Sequence, residues 1–380
     1  MSIRFNEEQT LLRDSLRRWL KDKVTPIIPQ AEADQKFPFE VFDGLLQFGC
    51  FGGRLSEQQG GFGLDYTTWG MLFEEMGYCW GSLRTLANIT NGTIYRLADQ
   101  GTPEQKERYL KPLLKNEIKC CTGLSEPNIG SNLGGLETRC EDKGDHWLLN
   151  GTKLWITNGE YADFCVVAAR TYSPNCNGGI STFIVDRELY EMRKVNMMVL
   201  RCTGTAELSF QDVKLPKEAL IGEEGKAFSK VLNGLDAARV NIAMGAVGAA
   251  QSALDLSIEY AKTRKQFGRP IGEFQLIQRN IVEMTMRVSA ARALAYNAAQ
   301  ALDEGHQARS DCSIAKLYAT EAAFEVANTA LQLHGGLGYA TDYPIERIFR
   351  DTRGGTIPEG TSEIQTLIIG REILGMSAIS

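Results

Sequence analysis

The sequence predicts a mainly α-helical protein with a β-domain at its centre. Helical periodicity dominates residues 1–118, short β-branched and aromatic runs occupy residues 119–222, and helical periodicity returns over residues 223–380. A chain of 380 residues is long enough for two or three domains. We therefore expect an N-terminal helical domain, a middle β-barrel-like domain and a C-terminal helical bundle, with no low-complexity linker between them.

The first region contains helical segments whose starts are marked by local signals. Asn6 precedes an amphipathic helix, and Thr102, Pro103 and Gln105 form a capping box with proline at the first helical position. The predicted helices cover residues 6–22, 39–49, 66–78, 89–100 and 103–115.

The middle region reads as short strands bounded by Gly, Asn and Pro. Within WLLNGTKLWIT, the Asn150-Gly151 pair predicts the two-residue turn of a hairpin. The last region contains helical segments too long for an average globular helix, and long, paired, alanine-rich helices are typical of a four-helix bundle. These segments cover residues 225–262, 271–304, 308–335 and 362–375.

A carboxylate stands just before the last helix, in TIPEGTSEIQ. Ser362 and Gln365 have the spacing of a capping box, which places Glu359 on a short loop between Pro358 and Gly360. The arrangement suits either an ordinary surface turn or a catalytic base held over a pocket.

Composition excludes several classes of protein. A net charge of -6 and no basic run argue against nucleic-acid binding, and no apolar stretch is long enough to span a membrane. The N-terminus has no signal-peptide core, so we expect a cytoplasmic protein. Nine cysteines without zinc-ligand spacing and only three histidines predict reduced, mostly buried thiols and no metal site.

Five further segments have residue types suited to ligand binding, and each also has an ordinary structural interpretation. The loop 124–132 is either a turn or an anion site, and Trp155 is either a core residue or the cover of a planar ring. Long helices end at residues 263–271 and at residues 331–339. Each of these segments is either an ordinary capped helix end or a contact with a ligand. Asp236 and Arg239 lie three apart on a helix, as most surface ion pairs do.

Taken in order, the motifs SEPNIGSN, NGTKLWITN, RKQFG, QLHGGLGY and EGTSEIQ resemble the acyl-CoA dehydrogenase family. The resemblance runs over nearly all of the chain. It implies FAD as the cofactor, extended between the β-domain and the bundle, and a homo-oligomer, most typically a tetramer, in which a neighbouring subunit helps to hold it.

The resemblance also implies roles for individual residues. The flavin ring and its near phosphate would be surrounded by Leu124, Ser125, Ser131, Trp155, Ile156 and Thr157, with Thr361 and Glu363 beside the cofactor. The pyrophosphate and adenosine end would contact Arg264, Phe267, Gln332 and Gly336, from the adjacent subunit. The acyl-CoA side would be lined by Ser131, Asp236, Arg239, Gly360 and Arg84.

In this family the carboxylate of E-G-T removes the α-proton of an acyl-CoA thioester while the β-hydrogen leaves as hydride to flavin N5. The electrons then pass to an electron-transfer flavoprotein. Family members with the base elsewhere carry an acid beside the arginine of the LDxxR helix. Here that neighbour is Ala238, so the resemblance assigns the catalytic base to Glu359.

Several residues depart from the family pattern. Asn132 replaces an aspartate, Asn128-Ile129 replaces smaller residues, and Pro358 replaces a bulky residue before the base. Arg84 lies close to the region that lines the acyl tail. It is either an exposed arginine at a helix start or a partner for an anionic tail.

Three other functions keep the same fold. In the first alternative, an acyl carrier protein carries the acyl group instead of CoA. In the second, the enzyme is an oxygen-using oxidase or monooxygenase. In the third, the chain is a non-catalytic member of the family. The retained Glu359 and the flavin motifs argue against the last of these.

Overall fold

The structure is a computed structural model that describes residues 5–378, except for the side chains of residues 229 and 231–233. Its first part is helical, and both predicted helix starts are confirmed. Asn6 and Gln9 exchange the two hydrogen bonds of a capping box, as do Thr102 and Gln105. The helices are α1 (Glu7–Trp19), α2 (Ile28–Asp34), α3 (Glu40–Leu46), α4 (Tyr66–Cys79), α5 (Gly81–Gln100), α6 (Pro103–Gln105) and α7 (Lys111–Leu114).

The middle part is one eight-stranded sheet. Its strands run in the order β6-β7-β3-β2-β4-β5-β8, and β1 pairs with β4 beside this path. The β1–β4 and β2–β4 pairs are parallel, and the other pairs are antiparallel. The strands are β1 (Cys120–Gly123), β2 (Arg139–Asp142), β3 (His146–Ile156), β4 (Phe164–Ser173), β5 (Cys176–Asp186), β6 (Glu191–Lys194), β7 (Ala206–Pro216) and β8 (Leu220–Ile221).

The predicted hairpin turn at Asn150-Gly151 is wrong, because β3 continues through both residues. Asn150 pairs with Arg139 of β2, and its amide side chain bonds to Asp212 of β7, the neighbouring strand on the other side of β3. Gly151 sits at a β-bulge where a Cβ atom would lie 2.5 Å from the Thr138 hydroxyl oxygen. Glycine is therefore required here for close packing rather than for a turn.

The last part consists of long helices packed on one another. The helix α10 packs on both α8 and α9, and α12 lies along α10. A two-stranded hairpin, β9 (Lys265–Gln266) and β10 (Arg269–Pro270), joins α8 to α9. The helices are α8 (Ala227–Thr263), α9 (Gln275–Asp303), α10 (Arg309–His334), α11 (Pro344–Gly354) and α12 (Ser362–Leu374).

Glycines let the helical parts approach closely at α4 and α8. A Cβ on Gly77 would lie 2.3 Å from the Gly245 carbonyl oxygen, and one on Gly248 would lie 2.0 Å from the Glu74 carbonyl oxygen. No side chain fits between the two backbones at these points. This contact fixes α8 against α4 and, through the short α4–α5 connection, positions α5 beside α8.

All nine cysteines are free, and only Cys79 and Cys176 are not fully buried. None of the helices within residues 5–378 combines the length and apolar character needed to cross a membrane.

Candidate active site

Glu359 lies on a loop between α11 and α12 whose backbone is held in an unfavourable conformation. Its φ is +56°, in the left-handed region, which costs a residue with a Cβ roughly 1–2 kcal/mol. Gly360 follows with φ +92°, and the Ser362 N–H donates to the Thr356 carbonyl at 3.0 Å to close the loop. Such a conformation persists only where neighbouring groups hold it.

Two buried side chains hold this loop by its carbonyl groups. The Gln365 Nε2 donates to the carbonyl oxygens of Glu359 and Gly360, both at 3.0 Å, and the Lys316 Nζ donates to Gly360 at 2.8 Å. Gln365 and Lys316 are both 0% exposed. We call these two residues the loop clamp.

The predicted capping box of Ser362 and Gln365 is wrong. The N-cap of α12 is Thr361, whose hydroxyl accepts from the Ile364 N–H at 3.3 Å. The Gln365 amide is engaged by the loop carbonyls and does not reach back to the helix start.

The Glu359 carboxylate is surrounded by positive charge. Burial raises its pKa above the ordinary glutamate value, and the cations Arg239, Lys316, Arg96 and Arg84 act in the opposite direction. Burial in turn lowers the pKa of Lys316 to about 8. The site therefore combines a desolvated carboxylate, which makes a stronger base, with charges that favour its ionised form.

Arg239 belongs to the interior of this site and not to the surface. It is 4% exposed, and its Nη1 donates to Asp236 Oδ1 at 2.7 Å. Its Nε atom is buried without a hydrogen-bond partner. The interpretation of this pair as an ordinary surface ion pair is wrong, because α8 turns it towards Glu359.

Arg84 is not an exposed helix-start arginine. Its Nε atom is buried, and its side chain crosses α8 at Gly245, where a Cβ would lie 2.6 Å from that nitrogen. Arg96, on the same helix, also acts on the Glu359 charge and was not singled out from the sequence. Nothing local marks Arg96, since its position depends on how α5 docks.

The loop 124–132 is anchored from behind by a buried ion pair that the sequence analysis also missed. Lys153 Nζ donates to Glu126 Oε1 at 2.6 Å and to the Leu124 carbonyl at 3.1 Å. The Glu126 carboxylate also accepts from the N–H groups of Glu137 and Thr138. Both residues stand inside quoted motifs, SEP and NGTK, so their types were visible but their pairing was not.

The exposed indole ring of Trp155 lies beside this loop. Trp155 is 56% exposed although it lies within β3, because its φ of +64° turns it outward at a bulge. The Leu154 N–H donates to the Ser125 carbonyl at 2.9 Å and joins the strand to the loop. Thr157 is partly exposed and Ser131 exposed, whereas the Ile156 side chain is buried in the β-core. Ile156 therefore offers only its backbone to a ligand.

These residues fit a flavin. An outward-facing indole suits a planar ring system, and the exposed Ser131 with its neighbouring loop N–H groups suits a phosphate. Of the two residues after Glu359 that the resemblance assigned to the cofactor, Thr361 caps α12 and Glu363 is exposed in its first turn.

The residues assigned to the other end of the cofactor lie far from Glu359 in the same chain. Arg264, Phe267 and Gly336 line an open groove where α8 and α10 end, and Gln332 is exposed two residues before the end of α10. Phe267 is 93% exposed. Arg264 directly follows α8 and lies twenty-five positions after Arg239, which at a rise of 1.5 Å per residue is about 37 Å.

Family comparison agrees with this architecture along the whole chain. Residues 6–117, 121–213 and 225–374 match the N-terminal, middle and C-terminal domains of acyl-CoA dehydrogenases. The chain belongs to the acyl-CoA dehydrogenase family and is a flavin-dependent oxidoreductase.

Among curated relatives, the caffeyl-CoA reductase-Etf complex subunit CarC of Acetobacterium woodii is 38% identical, over 97% of this chain and 99% of the relative. The short-chain specific acyl-CoA dehydrogenase of Clostridium acetobutylicum is 36% identical, over 98% and 100%. Among solved structures, a glutaryl-coenzyme A dehydrogenase bound to glutaryl-CoA has a TM-score of 0.93 and 34% identity, covering 99% of this chain and 97% of that one.

Proposed function

We propose that this enzyme removes the α- and β-hydrogens of an acyl-CoA thioester, with FAD as cofactor and Glu359 as the base that takes the α-proton. The observation that carries the proposal is the placement of Glu359 on a loop fixed by the loop clamp, where burial raises the pKa of the carboxylate and four cations act to lower it. FAD, when bound, would supply the acceptor for the β-hydride.

Proton removal from a thioester needs both a strong base and stabilisation of the enolate. Desolvation raises the pKa of Glu359, which strengthens it as a base. Within the described part of the chain, no acceptor bonds the Glu359 backbone N–H. This group is therefore available to donate to the thioester oxygen, where negative charge develops.

The cofactor would be held in two parts. Leu124, Ser125, Ser131, Trp155 and Thr157 would contact the flavin ring and near phosphate, with the backbone of residue 156. The groove at the ends of α8 and α10 lies too far from Glu359 to serve the same cofactor from one chain, which supports a homo-oligomer. We propose a tetramer as its form only because the family resemblance implies one. In it, the groove residues of a neighbouring subunit would hold the adenosine end.

The electron partner we propose is an electron-transfer flavoprotein, because the CarC relative is the subunit of a caffeyl-CoA reductase-Etf complex. That relative is named a reductase, and the same groups serve either direction. In the reductive direction protonated Glu359 would return a proton to the α-carbon, which its raised pKa favours.

The test is an anaerobic titration of the purified yellow protein with straight, branched, aromatic and dicarboxylic acyl-CoA esters. Loss of absorbance near 450 nm with at least one ester is the expected result. A flavin-loaded protein that no CoA ester bleaches would refute the CoA substrate and favour an acyl carrier protein thioester. Fast reoxidation of the bleached protein by air would indicate an oxidase instead.

A further inference from the structure

A loop of the middle domain packs against α11, the helix that leads into the Glu359 loop. We call its residues 198–204, which lie between β6 and β7, the junction segment. The Leu200 N–H donates to Asp351 Oδ1 of α11 at 2.7 Å, and the Asp351 side chain is 8% exposed. Asp351 stands eight residues before Glu359, so this contact joins the junction segment to the part of the chain that bears the base.

The contact between the junction segment and α11 is closely packed on both sides. A Cβ on Gly81, at the start of α5, would lie 3.0 Å from both Asp351 Oδ2 and Leu200 Cδ2. A Cβ on Gly354, the last residue of α11, would lie 3.0 Å from Val199 Cγ2. Even one additional methyl group would therefore displace its neighbours here.

The backbone of Leu200 is held in an unfavourable conformation. Its φ is +50°, in the left-handed region, which a bulky residue rarely adopts. Such a conformation persists only where the surrounding structure holds it, and it is most frequent at functional sites. Asp351 holds Leu200 by its N–H group. Thr203 holds it by its carbonyl oxygen, to which the Thr203 N–H and hydroxyl donate at 3.0 and 2.8 Å.

The hydrogen bonds continue from the junction segment to the turn that we assign to the flavin. The Thr203 carbonyl accepts from the Asn158 N–H at 2.8 Å, and the Gly204 carbonyl accepts from the Glu160 N–H at 2.9 Å. Asn158 is 0% exposed and directly follows residues 155–157, which together with it we call the flavin turn. A chain of hydrogen bonds therefore runs from α11 through the junction segment to the flavin turn.

We infer that Asp351 is a positioning residue for the reaction: through the Leu200 N–H it holds the flavin turn at a fixed place relative to the Glu359 loop. The inference rests on the proposed function, in which the base and the flavin act on adjacent carbons of one substrate. Removal of the two hydrogens depends on the separation of these groups, and a misplacement of about 1 Å can slow a reaction by about 100-fold.

This role requires an acceptor at position 351 and not a charge. Burial raises the pKa of Asp351 to about 7, and an oxygen of the carboxyl group accepts from the Leu200 N–H in either protonation state. Asparagine has the same shape and keeps such an oxygen, whereas leucine fills the space without an acceptor. The two substitutions therefore separate the hydrogen bond from the mere occupation of the site.

The experiment measures the FAD retained by the holoenzyme after gel filtration and the anaerobic kinetics of flavin reduction by an acyl-CoA ester. The proteins are wild type, Asp351→Leu, Asp351→Asn and the exposed control Asp342→Leu. We expect Asp351→Leu to retain less FAD and to show a kcat lower by about 10- to 100-fold. Its KM should change little, because Asp351 positions groups of the protein and does not bind the substrate. Asp351→Asn should recover most of the rate, and Asp342→Leu should match wild type.

Two further variants separate positioning from folding. Leu200→Gly, added to Asp351→Leu, should restore much of the rate, because glycine adopts the left-handed backbone without help from Asp351. Gly354→Ala leaves Asp351 in place and suits the helix, but its methyl group presses on Val199. It should lower kcat in the same direction as Asp351→Leu, by a smaller factor.

A wild-type kcat and wild-type FAD retention in Asp351→Leu would overturn the inference. Equal losses in Asp351→Asn and Asp351→Leu would also overturn it, because they would show that the charge matters and not the acceptor. If Asp351→Leu does not fold, a wild-type kcat in Gly354→Ala would overturn it. The proposed function fails separately, if no acyl-CoA ester bleaches the wild type, and FAD retention in the variants still tests the position of the flavin turn.

Discussion

Replacing Gln365 by methionine should uncouple the Glu359 loop from the bundle. Methionine has a similar length and fills the same buried space but has no N–H group to donate. The variant loses the hydrogen bonds to the carbonyl oxygens of Glu359 and Gly360, and leaves only Lys316 on the latter.

The expected magnitude follows from these two bonds. Each contributes about 0.5–1.5 kcal/mol net, so the variant loses roughly 1–3 kcal/mol of support. The left-handed backbone of Glu359 costs about 1–2 kcal/mol, a comparable amount. The strained loop therefore loses most of what holds it, and kcat should fall by about 5- to 150-fold as the carboxylate leaves its working position.

The assay is the anaerobic rate of flavin reduction at saturating acyl-CoA, together with the melting temperature and the FAD content. Thr366→Val is the matched control, since the exposed Thr366 hydroxyl bonds only to the Ser362 carbonyl of its own helix. A Gln365→Met protein with a lowered melting temperature and an unchanged kcat would show that the loop clamp supports the fold without positioning the base.

Three other predictions concern charges near the cofactor and the base. Lys316→Met removes a cation that lowers the pKa of Glu359. The rise of kcat/KM with pH follows ionisation of this base and should therefore shift to higher pH. A pH profile whose rising part does not move would contradict this. Lys153→Met leaves the buried Glu126 carboxylate without its cation and should lower the free energy of unfolding by about 3–5 kcal/mol, as measured by urea unfolding. The variant should also retain less FAD, as measured by flavin absorbance. Full retention of FAD would argue against the anchoring role of this ion pair. Arg239→Met breaks a buried pair in the same way and should lower the melting temperature, whereas a surface pair would leave it unchanged.

The sequence predicted the features that short-range chemistry determines. The capping boxes of Asn6 and Thr102 involve residues three apart, and both form as expected. The long helices of the bundle follow from periodicity over many residues, which no single contact can change. The family motifs predicted the fold for a related reason, because five of them in order constrain the whole chain.

The failures are places where a distant contact overrode a local pattern. Asn150-Gly151 has the composition of a turn, but Asn150 bonds to Asp212, sixty-two residues away, and the strand continues. Ser362 and Gln365 have capping-box spacing, but the Gln365 amide is taken by the loop carbonyls.

The charged residues that surround or anchor the site could not be predicted from the sequence for the same reason. Glu126 and Lys153 are twenty-seven residues apart, and Arg84 and Arg96 become interior only when α5 docks beside α8. Burial and pairing of charged residues depend on tertiary packing, which sequence patterns do not contain.

Whether Glu359 removes the α-proton is measured most directly by the anaerobic rate of flavin reduction in Glu359→Gln. The amide keeps the shape of the side chain but cannot act as a base. With Glu304→Gln as an exposed control and equal FAD content in all three proteins, we expect the rate to fall by about 100- to 10,000-fold in Glu359→Gln alone. Reduction of the flavin in Glu359→Gln at the wild-type rate would show that another residue removes the α-proton.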